Sequence, residues 1–168
     1  IAGNEVASYL REHGKDKDID ITILSAEKFP EYDPCSLPYF VGGEVDRNVV
    51  FRKSLDHYKK NRINLVLDNK AVSIDSNAKK VTTEKGDVFP YDSLVLAHGG
   101  SLFIPPIPGV NLDGVLSCKV LAEADKLARH KGTKAVVIGS GAIGIEAAEA
   151  LKLKGYPVPY THLRAHEP

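Results

Sequence analysis

The sequence predicts an α/β fold, and two stretches of the chain carry that prediction. An apolar, β-branched run at residues 135–138, typical of a strand buried on both faces, is followed at once by a glycine-rich turn and then by an alanine-rich helical pattern at 145–154. Near the start, a helical pattern at 1–14 precedes a strand pattern at 20–25. Strands that alternate with helices in this way are typical of a mostly parallel sheet covered by helices.

Composition excludes several classes of protein. The chain has 168 residues, enough for one domain or for a domain and part of another, and 43% of them are hydrophobic. Basic and acidic residues balance at 22 each, so we expect no nucleic-acid partner and no membrane-surface partner. No apolar run approaches the roughly 18 residues of a membrane span. Two cysteines are too few for a disulfide scaffold and favour a reducing, cytoplasmic location.

The glycine turn has the spacing G-x-G-x-x-G and stands between a strand and a helix, which is the context of a dinucleotide-binding fingerprint. Gly139 would permit the tight turn, Gly141 would let the backbone approach a pyrophosphate, and Gly144 would let the helix pack close to the strand. Phosphates would then bind the free N–H groups at the start of the helix. A Rossmann-like, three-layer nucleotide-binding fold is therefore expected, although a purely structural glycine turn stays open.

The first helical pattern, at 1–14, ends at Gly14, a common helix stop. Gly3 fits the third glycine of a first fingerprint whose opening residues are missing; the alternative is an amphipathic helix that happens to contain a glycine. Glu27 lies just beyond the strand pattern, where an acidic residue binds a ribose hydroxyl in dinucleotide-binding folds. The inner face of the helix is expected to consist of Ala2, Val6, Ala7 and Leu10.

Cys35 lies between prolines in a long irregular stretch and precedes a segment that could open a short helix. A thiol at a helix N-terminus has a lowered pKa and a more reactive thiolate. Most single cysteines, however, are inert core residues, so the local sequence leaves both interpretations open.

The middle of the chain predicts a charged helix at 46–61, with Val49, Leu55 and Tyr58 buried, and then short strands. Two of these strands, at 80–83 and 88–89, pair around a turn and give a small antiparallel meander. A buried strand is expected at 93–97, followed by a proline-rich linker at 102–108 and a helix at 121–130.

The last segment does not fit a continuing α/β pattern, because Pro157 and Pro159 remove backbone donors where a second strand is expected. It resembles translated adapter sequence, so we expect residues 157–168 to be a non-native tail. His162 and His166 are four residues apart but have no further ligand nearby, and no metal site is expected.

Taken together, the motifs resemble the FAD-dependent pyridine nucleotide-disulfide oxidoreductase family, in particular its single-cysteine branch of NADH oxidases, coenzyme A-disulfide reductases and sulfur or persulfide reductases. Residues 1–7 are similar to the end of the FAD fingerprint, and 35–43 resemble the redox-cysteine motif, with Ser36 where glycine is more usual. Residues 139–146 resemble the NAD(P)H fingerprint. Residues 91–100 are similar to the second FAD-contact motif, with His98 and Gly100 replacing the usual Thr and Ser.

The resemblance implies that hydride passes from NAD(P)H to FAD, and that electrons then pass to a redox-active Cys35 and to a small disulfide, a persulfide or oxygen. It implies FAD contacts at Gly3, Glu27, Ala71, Val72, Ala97 and Gly99. It implies NAD(P)H contacts at Gly139, Gly141, Ala142, Ile143, Gly144 and Glu146. We expect Cys118 to be structural and His98 to be a packing residue rather than a proton relay.

The resemblance also implies a domain plan: an FAD-binding domain at 1–106, lacking its first strand, and the start of an inserted NAD(P)H-binding domain at 107–156. On this interpretation the chain is a truncated piece of a homodimeric enzyme and is inactive alone. Two alternatives remain: a reductase of a small redox protein of the rubredoxin or ferredoxin type, and a non-catalytic nucleotide-binding module.

Overall fold

The computed structural model describes residues 1–14 and 18–161, which form two compact units. The first unit contains Ile1–Tyr32 and Phe51–Gly100, and the second contains Asp33–Val50 and the described part of Ser101–Pro168. The segment that carries Cys35 thus belongs to the same unit as the glycine turn. The domain boundaries expected from the sequence stay a prediction.

The first unit is built on a parallel strand pair. Helix α1 (Ala2–His13) is followed by strand β1 (Ile21–Leu24), and helix α3 (Leu55–Lys60) is followed by strand β2 (Ile63–Val66). The two strands pair in parallel from Ile21↔Ile63 to Leu24↔Val66. One apolar cluster joins these elements, and it contains Ala7, Tyr58 and Ile63 with Ile21, Ile23 and Leu65 packed against them.

The expected meander completes the first unit. Strands β3 (Ala71–Asp75), β4 (Lys80–Thr83) and β5 (Val88–Pro90) form an antiparallel sheet in that order. The β3–β4 register shifts between Ala71 and Ser73, so Val72 lies at an irregularity where a bulge leaves a residue outside the ladder.

The second unit is mostly helical. A 3-10 turn (Pro34–Ser36) leads into helix α2 (Leu37–Gly42), and a second 3-10 turn spans Arg47–Val50. Helix α4 (Leu121–Arg129), strand β6 (Val137–Ile138), helix α5 (Ala142–Leu153) and strand β7 (Tyr160–Thr161) follow. Helix α2 packs against both α4 and α5, and its Leu37 and Val41 are fully buried. A separate apolar cluster contains Val137, Leu151 and Tyr156.

The expected single helix at 46–61 is wrong, because two short helical pieces occur there instead. Ser54 caps the second piece, accepting a hydrogen bond from the His57 backbone N–H at 3.3 Å. Before Ser54, residues 52 and 53 form a bend, and Phe51 pairs with Tyr32 in an isolated antiparallel bridge. Because of this break, the buried valine is Val50 and not Val49, which is exposed. Leu55 is also exposed.

Three expectations of burial are also wrong. Residues 93–97 form no strand, and Leu94, Val95 and Leu96 are exposed, because no strand of the described residues pairs with them. Strand β6 has only two residues and pairs only with β7 in the described part of the chain, so its Ile138 is exposed. On α1 only Ala7 is buried.

Residues 157–161 extend the chain past α5, and Tyr160–Thr161 pair in parallel with β6. That the tail is non-native stays a prediction, and His162 and His166 lie outside the described residues. None of the helices in residues 1–14 and 18–161 has the length and apolar character needed to cross a membrane. The same residues contain no group of three side chains placed to hold a metal ion.

Candidate functional site

Cys35 lies in the 3-10 turn directly before α2, and its side chain is exposed and free of any disulfide. Asp33 caps this turn: its Oδ1 accepts a hydrogen bond from the Cys35 backbone N–H at 3.0 Å, and its Oδ2 accepts one from the Ser36 hydroxyl at 3.2 Å. Pro34 occupies the first position of the turn, where a missing N–H costs nothing. The sequence thus fixes the backbone around the thiol and leaves the sulfur accessible.

The helix that follows Cys35 packs on the helix that follows the glycine turn. At Gly42, near the end of α2, an added Cβ would lie 3.3 Å from Leu153 Cδ1 and 3.4 Å from the Ala150 Cα, both on α5. Helix α2 then ends at Gly43, which has φ +81° and therefore favours glycine. A residue without a side chain at 42 lets the two helices approach closely.

The glycine turn has the conformation that the fingerprint predicts at its first position. Gly139 has φ +118°, a backbone region that side chains rarely allow. Gly141 is different, since it caps α5 with an ordinary φ of −72°, and an added Cβ would meet nothing within 4 Å. Neither backbone strain nor packing within the described residues therefore requires glycine at 141, and space remains where a phosphate could approach the backbone.

The remaining predicted NAD(P)H residues follow on α5. Ala142, Ile143 and Gly144 form its first turn, and Ile143 is exposed. Glu146 lies one turn further and lines a small cavity together with Tyr39 and Glu149. The structure thus brings all six predicted NAD(P)H residues to the start of one helix.

Cys118 belongs to the same unit as Cys35, but its thiol is buried whereas that of Cys35 is exposed. It is only 5% exposed, and burial, with the nearby charges of Glu146 and Glu123, raises the pKa of its thiol to about 11. A buried thiol that resists ionisation is a poor nucleophile. This environment supports the expectation that Cys118 is structural.

A cleft of about 330 Å³ lies at the end of α2, lined by residues that include Arg47, Ala128 and Lys154. Both cations already have partners: Arg47 makes a bidentate pair with Asp125, at 2.7 and 2.9 Å, and the Lys154 ammonium donates to the carbonyls of Leu127 and Ala128. The Asp125 hydrogen bond raises the pKa of Arg47, and Arg47 in turn lowers the pKa of Asp125. The Arg47 charge is therefore balanced by Asp125, whereas the Lys154 ammonium has neutral partners that use two of its three N–H donors.

In the first unit, Glu27 lies three residues past the end of β1. Its backbone N–H donates to Ser25 Oγ at 3.1 Å, and its carbonyl accepts from the Asp68 N–H at 2.8 Å. Its carboxylate Oε2 accepts a hydrogen bond of 2.6 Å from the Tyr32 hydroxyl. The predicted ribose ligand is therefore held at the carboxyl end of a parallel strand, where such folds bind nucleotides.

The other predicted FAD residues are distributed over the first unit. Gly3 lies in the first turn of α1, and its added Cβ would meet Ala97 Cβ at 3.4 Å, so these two predicted positions adjoin. Ala71 and Val72 lie on the exposed edge strand β3, and Gly99 has φ +71°. His98 is exposed and follows the unpaired stretch 93–97, so the expectation that it is a packing residue is wrong.

A buried ion pair in the first unit was not expected. The Glu31 side chain is 1% exposed, and its Oε2 lies 3.1 Å from the Lys53 ammonium, which also lies 3.4 Å from Glu5 Oε1. Burial lowers the pKa of Lys53, but its hydrogen bonds and charge contacts with Glu31 and Glu5 outweigh this and raise it. The Tyr58 hydroxyl accepts from the Glu31 N–H and donates to Asn4 Oδ1, and burial raises the pKa of this phenol. No short-range pattern links residues this far apart in sequence.

Two of the residues that the sequence analysis did not single out do carry a recognisable pattern in the sequence. Asp33 followed by proline is a typical start of a helical turn, and Ser54 is a typical N-cap. Tyr32 carries no such pattern, because its hydrogen bond to Glu27, five residues earlier in a loop, follows no fixed spacing.

An α/β fold with a dinucleotide turn and an exposed cysteine defines the class of nucleotide-dependent oxidoreductases. Comparison with known proteins agrees. The chain is 33% identical over 167 residues to the NADH oxidase of Methanocaldococcus jannaschii, with 94% of this chain and 37% of that protein covered. The NAD-dependent persulfide reductase from A. fulgidus superposes with a TM-score of 0.87 at 35% identity, over 96% of this chain and 32% of that one. NADH:rubredoxin oxidoreductase from Clostridium acetobutylicum gives a TM-score of 0.77 at 29% identity, over 84% and 38%.

The family model described as pyridine nucleotide-disulphide oxidoreductase matches residues 1–166, and the chain belongs to this family. The expected resemblance and fold class are thereby confirmed. The family is enzymatic, FAD is its cofactor, and the relatives are NAD(P)H-dependent flavoprotein oxidoreductases. They act on small redox proteins or on small molecules. The chain spans about a third of the length of the three relatives named above.

Proposed function

We propose that this protein is a flavoprotein oxidoreductase that uses NAD(P)H to reduce the sulfur of Cys35 and, through it, a small disulfide, persulfide or oxygen acceptor. One observation carries the proposal: the exposed Cys35 precedes a helix that packs directly on the helix of the glycine turn, within one compact unit. A thiol without that neighbour would be an ordinary surface cysteine.

The residues fit the two cofactors of the family. Gly139, Gly141 and the free N–H groups of the first turn of α5 would hold the pyrophosphate of NAD(P)H. Gly3, at the start of α1, and Glu27, at the end of β1, would hold FAD, with Ala71, Val72, Ala97 and Gly99 as further contacts. Bound FAD supplies two-electron chemistry that a protein side chain cannot provide.

Cys35 would take part as the atom that makes and breaks bonds to sulfur. With a small disulfide, its thiolate attacks one sulfur, the S–S bond breaks, and one thiolate leaves while the other half stays bound as a mixed disulfide. One hydride equivalent from NADH, which is two electrons and one proton, then breaks the mixed disulfide, releases the second half as a thiol, restores the Cys35 thiolate and leaves NAD⁺. Asp33 holds the backbone of the turn during this exchange, since it binds the Cys35 N–H and not the sulfur.

The test replaces Cys35 by serine in the full-length protein. We expect loss of NADH-dependent reduction of a small disulfide or polysulfide by more than about 100-fold, because serine cannot form the mixed disulfide. Absorbance of the bound flavin and reduction of an artificial dye should persist, which shows that both nucleotide sites remain intact. Unchanged disulfide reduction in Cys35→Ser would refute the proposal.

A second candidate is an NAD(P)H-dependent reductase of a small redox protein, which the match to NADH:rubredoxin oxidoreductase favours. In that case electrons leave without a thiol, so Cys35→Ser should retain full reduction of a rubredoxin- or ferredoxin-type protein. The same variant therefore separates the two candidates. The homodimer and the cytoplasmic location stay predictions, and light scattering of the full-length protein tests the first of them.

A further inference from the structure

We propose that Tyr32 is a positioning residue that orients the Glu27 carboxylate toward a ribose hydroxyl of the bound dinucleotide. The inference rests on the proposed function, since it requires that the first unit binds FAD. It goes beyond that function because it assigns a role to a tyrosine that no motif includes.

Glu27 needs support because of where it lies. It is three residues past the end of β1, on a loop, and a glutamate side chain has three rotatable bonds. The strand-end position itself is occupied by Ser25, which has no carboxylate but accepts a hydrogen bond from the Glu27 N–H. The backbone of Glu27 is therefore fixed by Ser25 and Asp68, while its side chain is fixed only by what binds the carboxylate.

Tyr32 supplies that contact. Its side chain is 8% exposed, and its hydroxyl donates to Glu27 Oε2 at 2.6 Å, the short distance typical of a charge-assisted hydrogen bond. The tyrosine backbone is itself held by the antiparallel bridge to Phe51. A rigid, buried ring thus sets the direction of one carboxylate oxygen.

The second oxygen remains for a ligand. Within the described residues, Glu27 Oε1 accepts no hydrogen bond, and the side chain is partly exposed. An ionised carboxylate can accept several hydrogen bonds, so a ribose hydroxyl can donate to Oε1 while the phenol occupies Oε2. Tyr32 donates and does not compete for that oxygen.

The experiment measures the affinity of the full-length apoprotein for FAD and for two FAD analogues whose adenosine lacks the 2′- or the 3′-hydroxyl. The variants are Tyr32→Phe, Glu27→Ala and the double variant. Tyr156→Phe serves as the matched control, because Tyr156 is also a buried residue and its hydroxyl donates to the His130 carbonyl at 2.8 Å, but it lies in the other unit.

We expect the wild type to bind one analogue about tenfold more weakly than FAD, which identifies the hydroxyl that Glu27 binds. Tyr32→Phe should lower FAD affinity about fivefold and leave the affinity for that analogue unchanged, because the lost interaction is to the missing hydroxyl. In the Glu27→Ala background Tyr32→Phe should have no further effect. Tyr156→Phe should not alter FAD affinity.

Equal weakening of FAD and both analogues in Tyr32→Phe would overturn the proposal, since it would show a general structural role. Unchanged FAD affinity in Tyr32→Phe or in Glu27→Ala would also overturn it while leaving the flavoprotein assignment intact. Failure of the wild type to bind FAD at all would overturn the proposed function itself.

Discussion

In the first unit, charged and polar side chains fix a residue of the predicted site and its surroundings: Tyr32 holds Glu27, and Glu31, the residue before Tyr32, pairs with Lys53. In the second unit, backbone conformation at Gly139 and helix packing at Gly42 place the residues of the predicted site, and the one carboxylate involved, that of Asp33, holds the backbone N–H of Cys35 rather than its sulfur. An acidic ribose ligand must be oriented by a partner, whereas a phosphate-binding turn and an exposed thiol need only a defined backbone. The difference follows from what each site has to bind.

We expect the largest effect in the rates at which Cys35 and Cys118, the two cysteines of the second unit, are alkylated. With a pKa of about 11, roughly one Cys118 in a thousand is ionised at pH 8, and its side chain is also buried. We expect iodoacetamide to alkylate Cys35 at least about 100-fold faster than Cys118, measured by mass spectrometry of the folded protein. Below the pKa, each unit of pH should raise the Cys118 rate about tenfold. Equal rates at pH 8 would contradict the assigned environments.

Removal of the buried cation should destabilise the first unit most. Lys53→Met leaves the Glu31 carboxylate buried, with Arg52, 3.6 Å away, as its remaining cation among residues 1–14 and 18–161, and we expect a loss of about 3 kcal/mol. Hydrogen exchange of the α1 and α3 amides measures this loss locally. Lys59→Met is the matched control, because Lys59 and Asp56 are both highly exposed. If the two variants lost protection equally, the buried pair would not be a stabilising feature.

In the second unit, substitution of Gly42 should change stability, whereas substitution of Gly141 should change nucleotide binding. Gly42→Val should overpack the α2–α5 contact and cost about 2 kcal/mol, because Ala150 Cα and Leu153 already border the added carbon. Gly141→Ala should leave unfolding unchanged, since its added carbon meets nothing within 4 Å, but it should weaken NADH binding about tenfold. Thermal unfolding and nucleotide titration of the full-length variants provide the readouts. A large loss of stability in Gly141→Ala would show that this glycine serves packing.

We expect the smallest change in the free energy of unfolding at the Arg47–Asp125 ion pair of the second unit. Arg47 lowers the pKa of Asp125, so the pair stabilises the fold above pH 3.8 and loses that effect as the pH falls through the lowered value. Because Arg47 is 38% exposed, Asp125→Asn should cost only about 1 kcal/mol at pH 7. The difference from wild type should vanish in acid. A cost as large as that of Lys53→Met would remove the distinction between the two units.

Sequence reasoning succeeded where function depends on local backbone pattern. The turn conformation at Gly139, the helix stop at Gly14, the meander and the family itself all follow from spacing and residue type. These features are set by a few neighbouring residues, so no knowledge of the tertiary structure is needed.

Prediction from the sequence was wrong where the burial of a residue depends on partners that are distant in sequence. The apolar stretch 93–97 reads as a buried strand, yet without a pairing strand in the described residues it forms no strand and stays exposed. The helix expected at 46–61 breaks at Ser54 because Phe51 pairs with Tyr32. The Tyr32–Glu27 bond and the Glu31–Lys53 pair likewise depend on tertiary contacts. In each case the competing interaction joins residues that no local pattern connects.

The central claim is that reducing equivalents from NADH reach the sulfur of Cys35, and an anaerobic titration tests it most directly. Full-length protein is oxidised with a small disulfide, desalted and titrated with NADH. We expect the wild type to consume about two equivalents, one for the flavin and one for the mixed disulfide at Cys35, and Cys35→Ser to consume about one. Equal consumption by the two proteins would contradict the account.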